Sequence, residues 1–61
     1  MASLTSKELT ALEDTLGSEQ GLVKKYQALA CLCNDDRIRQ DLEGMAQRHQ
    51  QHVNTLAKFL Q

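Results

Sequence analysis

Apolar residues recur at alternating spacings of three and four positions along nearly the whole chain. This spacing marks positions a and d of helical heptads, the stripe that a helix buries against its neighbours. The chain has no proline, and its one cluster of helix-breaking residues is Asn34-Asp35-Asp36. The pattern therefore predicts an all-α chain with a helix over about 6–33, a loop at about 34–35 and a second helix over about 36–60. The stripe comprises Leu9, Leu12, Leu16, Glu19, Val23, Tyr26, Ala30 and Cys33, and then Ile38, Leu42, Met45, His49, His52, Leu56 and Phe59.

Both predicted helices begin at a recognisable capping residue. The segment Thr5-Ser6-Lys7-Glu8 fits a capping box, in which Thr5 is the N-cap and the carboxylate of Glu8 reaches back to it. Asp35 is a favourable N-cap for the second helix. Because so short a loop makes the two helices antiparallel, residues 1–61 are predicted to form one helical-hairpin domain.

The predicted apolar face is wider than the stripe of a two-stranded coiled coil. Five further apolar residues flank the stripe, which gives each helix the three-in-seven face of a bundle helix. One hairpin covers only half of such a face, and 61 residues provide a small core for an isolated chain. The sequence therefore predicts a homodimer in which two hairpins form a four-helix bundle with two-fold symmetry. The flanking residues are Leu22, Leu29, Ala46, Val53 and Leu60.

Three side chains of the kinds that bind metals interrupt the stripe: Glu19, His49 and His52. A carboxylate in a core must be paired, protonated or bound to a cation. With the loop centred near 34–35, Glu19 lies level with residue 50, between the two histidines, which share one helix face. Neutral imidazole and carboxylate suit Fe, Zn or Mn, so these three residues are the predicted metal ligands. A metal-free polar layer and exposure of one histidine to water are the alternatives.

Tyr26 is interpreted as a core residue whose hydroxyl forms a hydrogen bond, and the alternative is that it supports the metal ligands together with Glu43 or takes part in redox chemistry. The hairpin register places Tyr26 and Glu43 level with each other, so a hydrogen bond from the phenol to the carboxylate is expected. Gly17 and Gly21 flank Glu19 on the first helix. Such a pair indicates close approach of another helix, a local irregularity or access to the site, or simply a long helix that tolerates glycine.

Cys31 and Cys33 form an isolated Cys-x-Cys pair. A zinc site needs about four ligands, and the chain has no second cysteine pair to complete one. The favoured interpretation is two small side chains near a helix end in a reducing compartment. A thiolate metal site and a disulfide between subunits are the alternatives.

Charge and hydropathy argue against several classes of function. A net charge of −1 with both signs interspersed gives no electrostatic basis for binding nucleic acid or an anionic membrane. No apolar run approaches the roughly 20 residues of a membrane span, and no signal-peptide core follows the first residues, so a cytoplasmic location is expected. No phosphate-binding loop and no Ser/His/Asp order occurs, so conventional nucleophilic catalysis has no support.

Two segments resemble the helices of a known superfamily. The segment from Glu19 to Tyr26 is similar to the Glu-x6-Tyr of rubrerythrin-type first helices. The segment from Met45 to His52 is similar to the Met-Ala-x-x-His-x-x-His of second helices in proteins akin to spore coat F. Over nearly its whole length the chain resembles the ferritin-like superfamily, and more closely its short members similar to the spore coat F family.

The resemblance implies a ferritin-like four-helix bundle in which this hairpin is one half, with Glu19 and His52 at ligand positions. His49 stands where the superfamily has a second glutamate, so a dimer would offer two carboxylates and four imidazoles. A site with two carboxylates stabilises ferric ions and an oxo-bridged iron pair less well than a site with four. The resemblance therefore implies a non-enzymatic structural protein, in the spore coat and in contact with other coat proteins. A metal-binding or redox protein with a dinuclear Glu/His site, and a helical interaction module with a buried polar layer, are the competing hypotheses.

Overall fold

The computed structural model describes residues 3–61 as two antiparallel α-helices and a short final turn, so the first two residues of the predicted domain lie outside it. Helix α1 spans Ser6–Leu32, helix α2 spans Asp36–Ala57, and a 3-10 turn covers Lys58–Leu60. The two α-helices pack against each other along a hairpin of 47 × 17 × 12 Å. The prediction of an all-α helical hairpin is confirmed.

The helix boundaries differ slightly from the prediction at both C-terminal ends. Helix α1 ends one residue early because the backbone of Cys33 is extended, so the loop comprises residues 33–35. The last predicted turn of α2 tightens into the 3-10 conformation, which is common where a helix ends. No helix within residues 3–61 combines the length and the apolar character required to cross a bilayer.

Both predicted caps are present. The amide of Glu8 donates to the Thr5 hydroxyl at 3.1 Å, and the amide of Thr5 donates to the Glu8 carboxylate at 2.9 Å. At the start of α2, the Asp35 carboxylate accepts from the amides of Arg37 and Ile38 at 2.9 and 3.0 Å. Each cap satisfies donors that the first helical turn leaves unpaired, and so it fixes where the helix begins.

The line of contact between the helices is formed by small side chains. The buried hydrophobic residues are Val23 and Ala30 on α1 and Ala46 and Val53 on α2. Of the stripe predicted for α1, Val23 and Ala30 are buried, whereas Leu9 is 39% exposed. Helix α2 is rotated from its predicted orientation, so that Ala46 and Val53 are buried. Met45 and His52, which the pattern placed inside, lie at the edge of the contact, and the flanking residues that follow them are at its centre.

This rotation leaves one broad face of the hairpin apolar. Leu22, Leu29 and Met45 each directly precede a buried residue, and in an antiparallel pair such residues of both helices point to the same side. Ile38 and Phe59 lie seven positions before and fourteen positions after Met45, on the same side. Ile38 is 52% exposed, Met45 36% and Phe59 56%. The opposite face carries Gln20, Gln27, Glu43 and Gln50, all exposed. The apolar strip, as it is called below, comprises Leu22, Leu29, Ile38, Met45 and Phe59.

Replacing Gly17 or Gly21 with alanine is expected to raise the free energy of unfolding by about 1 kcal/mol each, because alanine is the better helix former. A Cβ atom at either position would meet nothing within 4 Å, so the expected close approach to the other helix of the hairpin is absent. Chemical denaturation of each variant measures the change, and Ala28→Gly on the same helix should give the opposite sign. Destabilisation by either alanine would instead reveal a second chain packed against this side.

Candidate metal centre

Glu19, His49 and His52 converge midway along the hairpin, at the level the register predicted. Helix α1 supplies the carboxylate, and α2 supplies both imidazoles from positions three residues apart on one face. His49 Nδ1 lies 2.8 Å from Glu19 Oε1, and His52 Nδ1 lies 2.6 Å from Glu19 Oε2. One carboxylate therefore bridges two histidines, and His49 Nδ1 also lies 3.3 Å from Oε2, the oxygen that contacts His52.

The three side chains differ in their contact with solvent. The exposed fraction is 13% for Glu19, 24% for His49 and 59% for His52. Glu19 and His49 close the inner side of the cluster, between the helices. His52 stands on the apolar strip, in line between Met45 and Phe59, so the open side of the cluster coincides with that face.

The Glu19 carboxylate is held in its ionised form. The hydrogen bond from His49 is the main cause that lowers the pKa of this carboxyl below its ordinary value of 4.5. Burial acts in the opposite direction, while the hydrogen bond from His52 and the charges of both imidazoles lower the pKa further. The cluster thus presents an ionised carboxylate beside two imidazole rings.

In the absence of metal, Glu19→Gln is expected to weaken the dependence of hairpin stability on acid. A carboxylate whose pKa is lowered by folding stabilises the fold above its ordinary pKa, and this contribution disappears as the pH falls through the lowered value. The pKa of Glu8 is also lowered, by its bonds to Thr5, so wild-type stability declines over the same range. Thermal melts between about pH 6 and pH 3 should show a shallower decline for Glu19→Gln than for Glu13→Gln. Equal slopes would contradict the assignment.

Tyr26 contacts the site in a way that the sequence did not predict. Its ring stacks on His49, with ring centroids 5.6 Å apart and planes inclined by 6°. The two imidazoles meet edge to face, with centroids 5.5 Å apart. Tyr26 thereby fixes the plane of the His49 ring. The sequence feature that could have indicated this contact is the position of Tyr26 one heptad after Glu19, since residues seven apart lie on the same side of a helix.

Glu43 takes no part in this arrangement. It lies on the polar face, where its carboxylate is 3.8 Å from Arg39 Nε, and within residues 3–61 no hydrogen bond joins it to Tyr26. The expected phenol–carboxylate bond is therefore not formed.

The donor atoms are close enough to bind one ion after a small adjustment. One ligand atom from each of the three residues can be chosen so that all lie within 4.8 Å of one another. In a tetrahedral zinc site, ligand atoms are separated by about 3.3 Å, given zinc–nitrogen distances near 2.0 Å. The two nitrogen–oxygen contacts of 2.8 and 2.6 Å are hydrogen bonds. Metal binding through these atoms would require each Nδ1 proton to move to Nε2 or to solvent, and these two distances to lengthen to about 3.3 Å.

The two cysteines lie far from this cluster. Cys31 is twelve residues from Glu19 along α1, which corresponds to about 18 Å. Both thiols are free, and the Cys33 thiol lies 3.5 Å from the carbonyl oxygen of Asp35 in the loop. Neither thiol can complete the site within the same hairpin.

No protein-family model, curated protein or solved structure matches this chain.

Proposed function

We propose that this chain is a small, non-enzymatic metal-binding protein of the ferritin-like type, in which Glu19, His49 and His52 bind one divalent transition-metal ion per hairpin. The observation that carries the proposal is the convergence of two imidazoles from α2 on a single ionised carboxylate from α1. A carboxylate and two neutral imidazoles form a common ligand set for zinc, iron and manganese. Among these three ions, the general order of affinities favours zinc, which is the appropriate probe.

The proposed assembly is a homodimer in which the apolar strips of two hairpins face each other in a four-helix bundle. The strip contains no charged residue, so a second copy of the same strip is a compatible partner. The whole broad face of the hairpin projects about 800 Å², which is the upper limit for this face and is comparable to the area that each partner buries in an interface of standard size. Pairing would also bury large apolar side chains that the single hairpin leaves exposed.

The ferritin-like assignment rests on this bundle together with the motifs around Glu19 and His52. With His49 in place of a glutamate, the dimer holds two carboxylates and four imidazoles, a set that binds divalent ions but stabilises oxo-bridged ferric pairs poorly. A binding or structural role therefore fits the ligand set better than oxidation chemistry. The proposal extends to a place among spore coat proteins through the resemblance of the segment from Met45 to His52.

A second candidate function is a helical interaction module whose Glu/His layer sets the pairing of helices without metal. The short hydrogen bonds of 2.6 and 2.8 Å favour it, because they give each carboxylate oxygen a protein donor without any ion. Buried polar layers of this kind fix register at some cost in stability.

Metal analysis of protein purified without chelator, followed by thermal melts with Zn²⁺, Fe²⁺ and Mn²⁺, separates the two candidates. A bound ion raises the melting temperature in proportion to the logarithm of its concentration over its dissociation constant. Metal binding predicts a rise that is largest for zinc and is removed by chelator. If no ion is retained and none shifts the melt, the metal-free layer is the better description.

A further inference from the structure

We propose that metal binding and self-association are coupled through His52, so that an ion at the site strengthens the dimer. This inference rests on the proposed function, since it requires that Glu19, His49 and His52 bind the ion. His52 is the one ligand that also stands in line with the apolar strip, between Met45 and Phe59. Its side chain is 59% exposed, whereas that of Glu19 is 13% exposed. The same residue thus belongs to the site and to the docking face.

The first source of coupling is the ordering of His52. In the single hairpin this side chain has solvent on one side and a single hydrogen bond, to Glu19, on the other. Packing a second hairpin against the strip requires that the ring be fixed in one position, which opposes association through lost rotamer freedom. An ion bound to the ring, to His49 and to Glu19 fixes that position beforehand. The conformational cost is then met by metal binding, and docking becomes more favourable.

The second source of coupling is the charge of Glu19. A docked copy would remove water from the open side of the cluster, where the carboxylate charge is balanced only by imidazole hydrogen bonds. Loss of that water is unfavourable for an ionised group. A dication bound directly to the carboxylate compensates its charge, so the free-energy cost of removing water from the carboxylate is smaller when a second hairpin covers the strip.

Equilibrium sedimentation of the full chain over a dilution series, with Zn²⁺ or with chelator, tests this coupling. We expect the dimer dissociation constant to fall by roughly tenfold with zinc, within the usual range of coupling between two sites. By reciprocity, and because each dimer binds two ions, zinc affinity per site should rise by the square root of that factor, about threefold, between protein concentrations below and above the dimer dissociation constant. His52→Ala should reduce both effects, whereas Gln51→Ala on the same helix should leave them intact.

Circular dichroism at the same dilutions excludes a trivial cause. If zinc acts only by folding the diluted chain, helix content will rise with zinc in step with dimer formation, and coupling through His52 is overturned. If zinc binds at one ion per chain but the dimer constant does not change, the coupling is also overturned, while the proposed metal site stands. If zinc does not bind at all, the proposed function itself fails.

Discussion

Glu19→Gln should weaken zinc binding by on the order of 100-fold or more. The substitution keeps the shape of the side chain and its capacity to accept a hydrogen bond, but it removes the anionic ligand that both imidazoles share. Loss of a group that merely supports a metal ligand costs about 10–100-fold in affinity, so loss of a ligand should exceed that range. Competition with a chromophoric chelator measures the affinities of wild type and variant under identical conditions.

Two matched controls make this experiment specific. Glu13→Gln removes the same charge from α1 at an exposed position, so it should leave zinc affinity close to that of the wild type. The double substitution of Cys31 and Cys33 by serine should also have little effect, because both thiols lie far along the hairpin from Glu19. If the cysteine variant loses most of its zinc affinity while Glu19→Gln binds zinc normally, the thiols and not Glu19 are the zinc ligands.

Met45→Glu should abolish the dimer at micromolar concentrations. In the proposed bundle this residue lies on the apolar strip, so the substitution places an unpaired charge from each copy at the interface. Leaving a buried charge without a partner costs about 3–5 kcal/mol, which corresponds to more than 100-fold in the dimer dissociation constant. Sedimentation measures the association state, and circular dichroism shows whether the separated chains remain helical.

The control for this variant is Gln47→Glu, which introduces the same charge on α2 outside the strip. It should leave the dimer intact. If Met45→Glu sediments as a stable dimer, the strip is not the interface, and another face of the hairpin must be responsible for any assembly. Loss of the dimer in both variants would mean that added negative charge alone disfavours association.

Local signals in the sequence were sufficient to predict the hairpin and the meeting of the three polar residues. Thr5 and Asp35 define where the helices begin because each side chain accepts bonds from the first helical turn. The short loop then determines the register, since in an antiparallel pair every level depends on where the chain turns. That register brought Glu19 level with His49 and His52 without any information on packing.

The orientation of α2 about its own axis could not be predicted in the same way. Two parallel lines of apolar residues, one containing Met45 and the other Ala46, differ by a single position and have the same heptad spacing. The larger side chains favoured the first line, but the structure buries the second, where small residues lie between the helices. The choice depends on complementary shape along the contact, which spacing alone does not specify.

X-ray absorption at the zinc edge, on protein loaded with one equivalent of Zn²⁺, tests the metal site most directly. Coordination by Glu19, His49 and His52 predicts about two imidazole nitrogens and additional oxygen ligands at distances near 2.0–2.2 Å, with no sulfur. The spectrum of His49→Ala should show one fewer imidazole. A sulfur shell near 2.3 Å, or an ion surrounded only by water oxygens, would contradict the assignment of these three residues as the metal site.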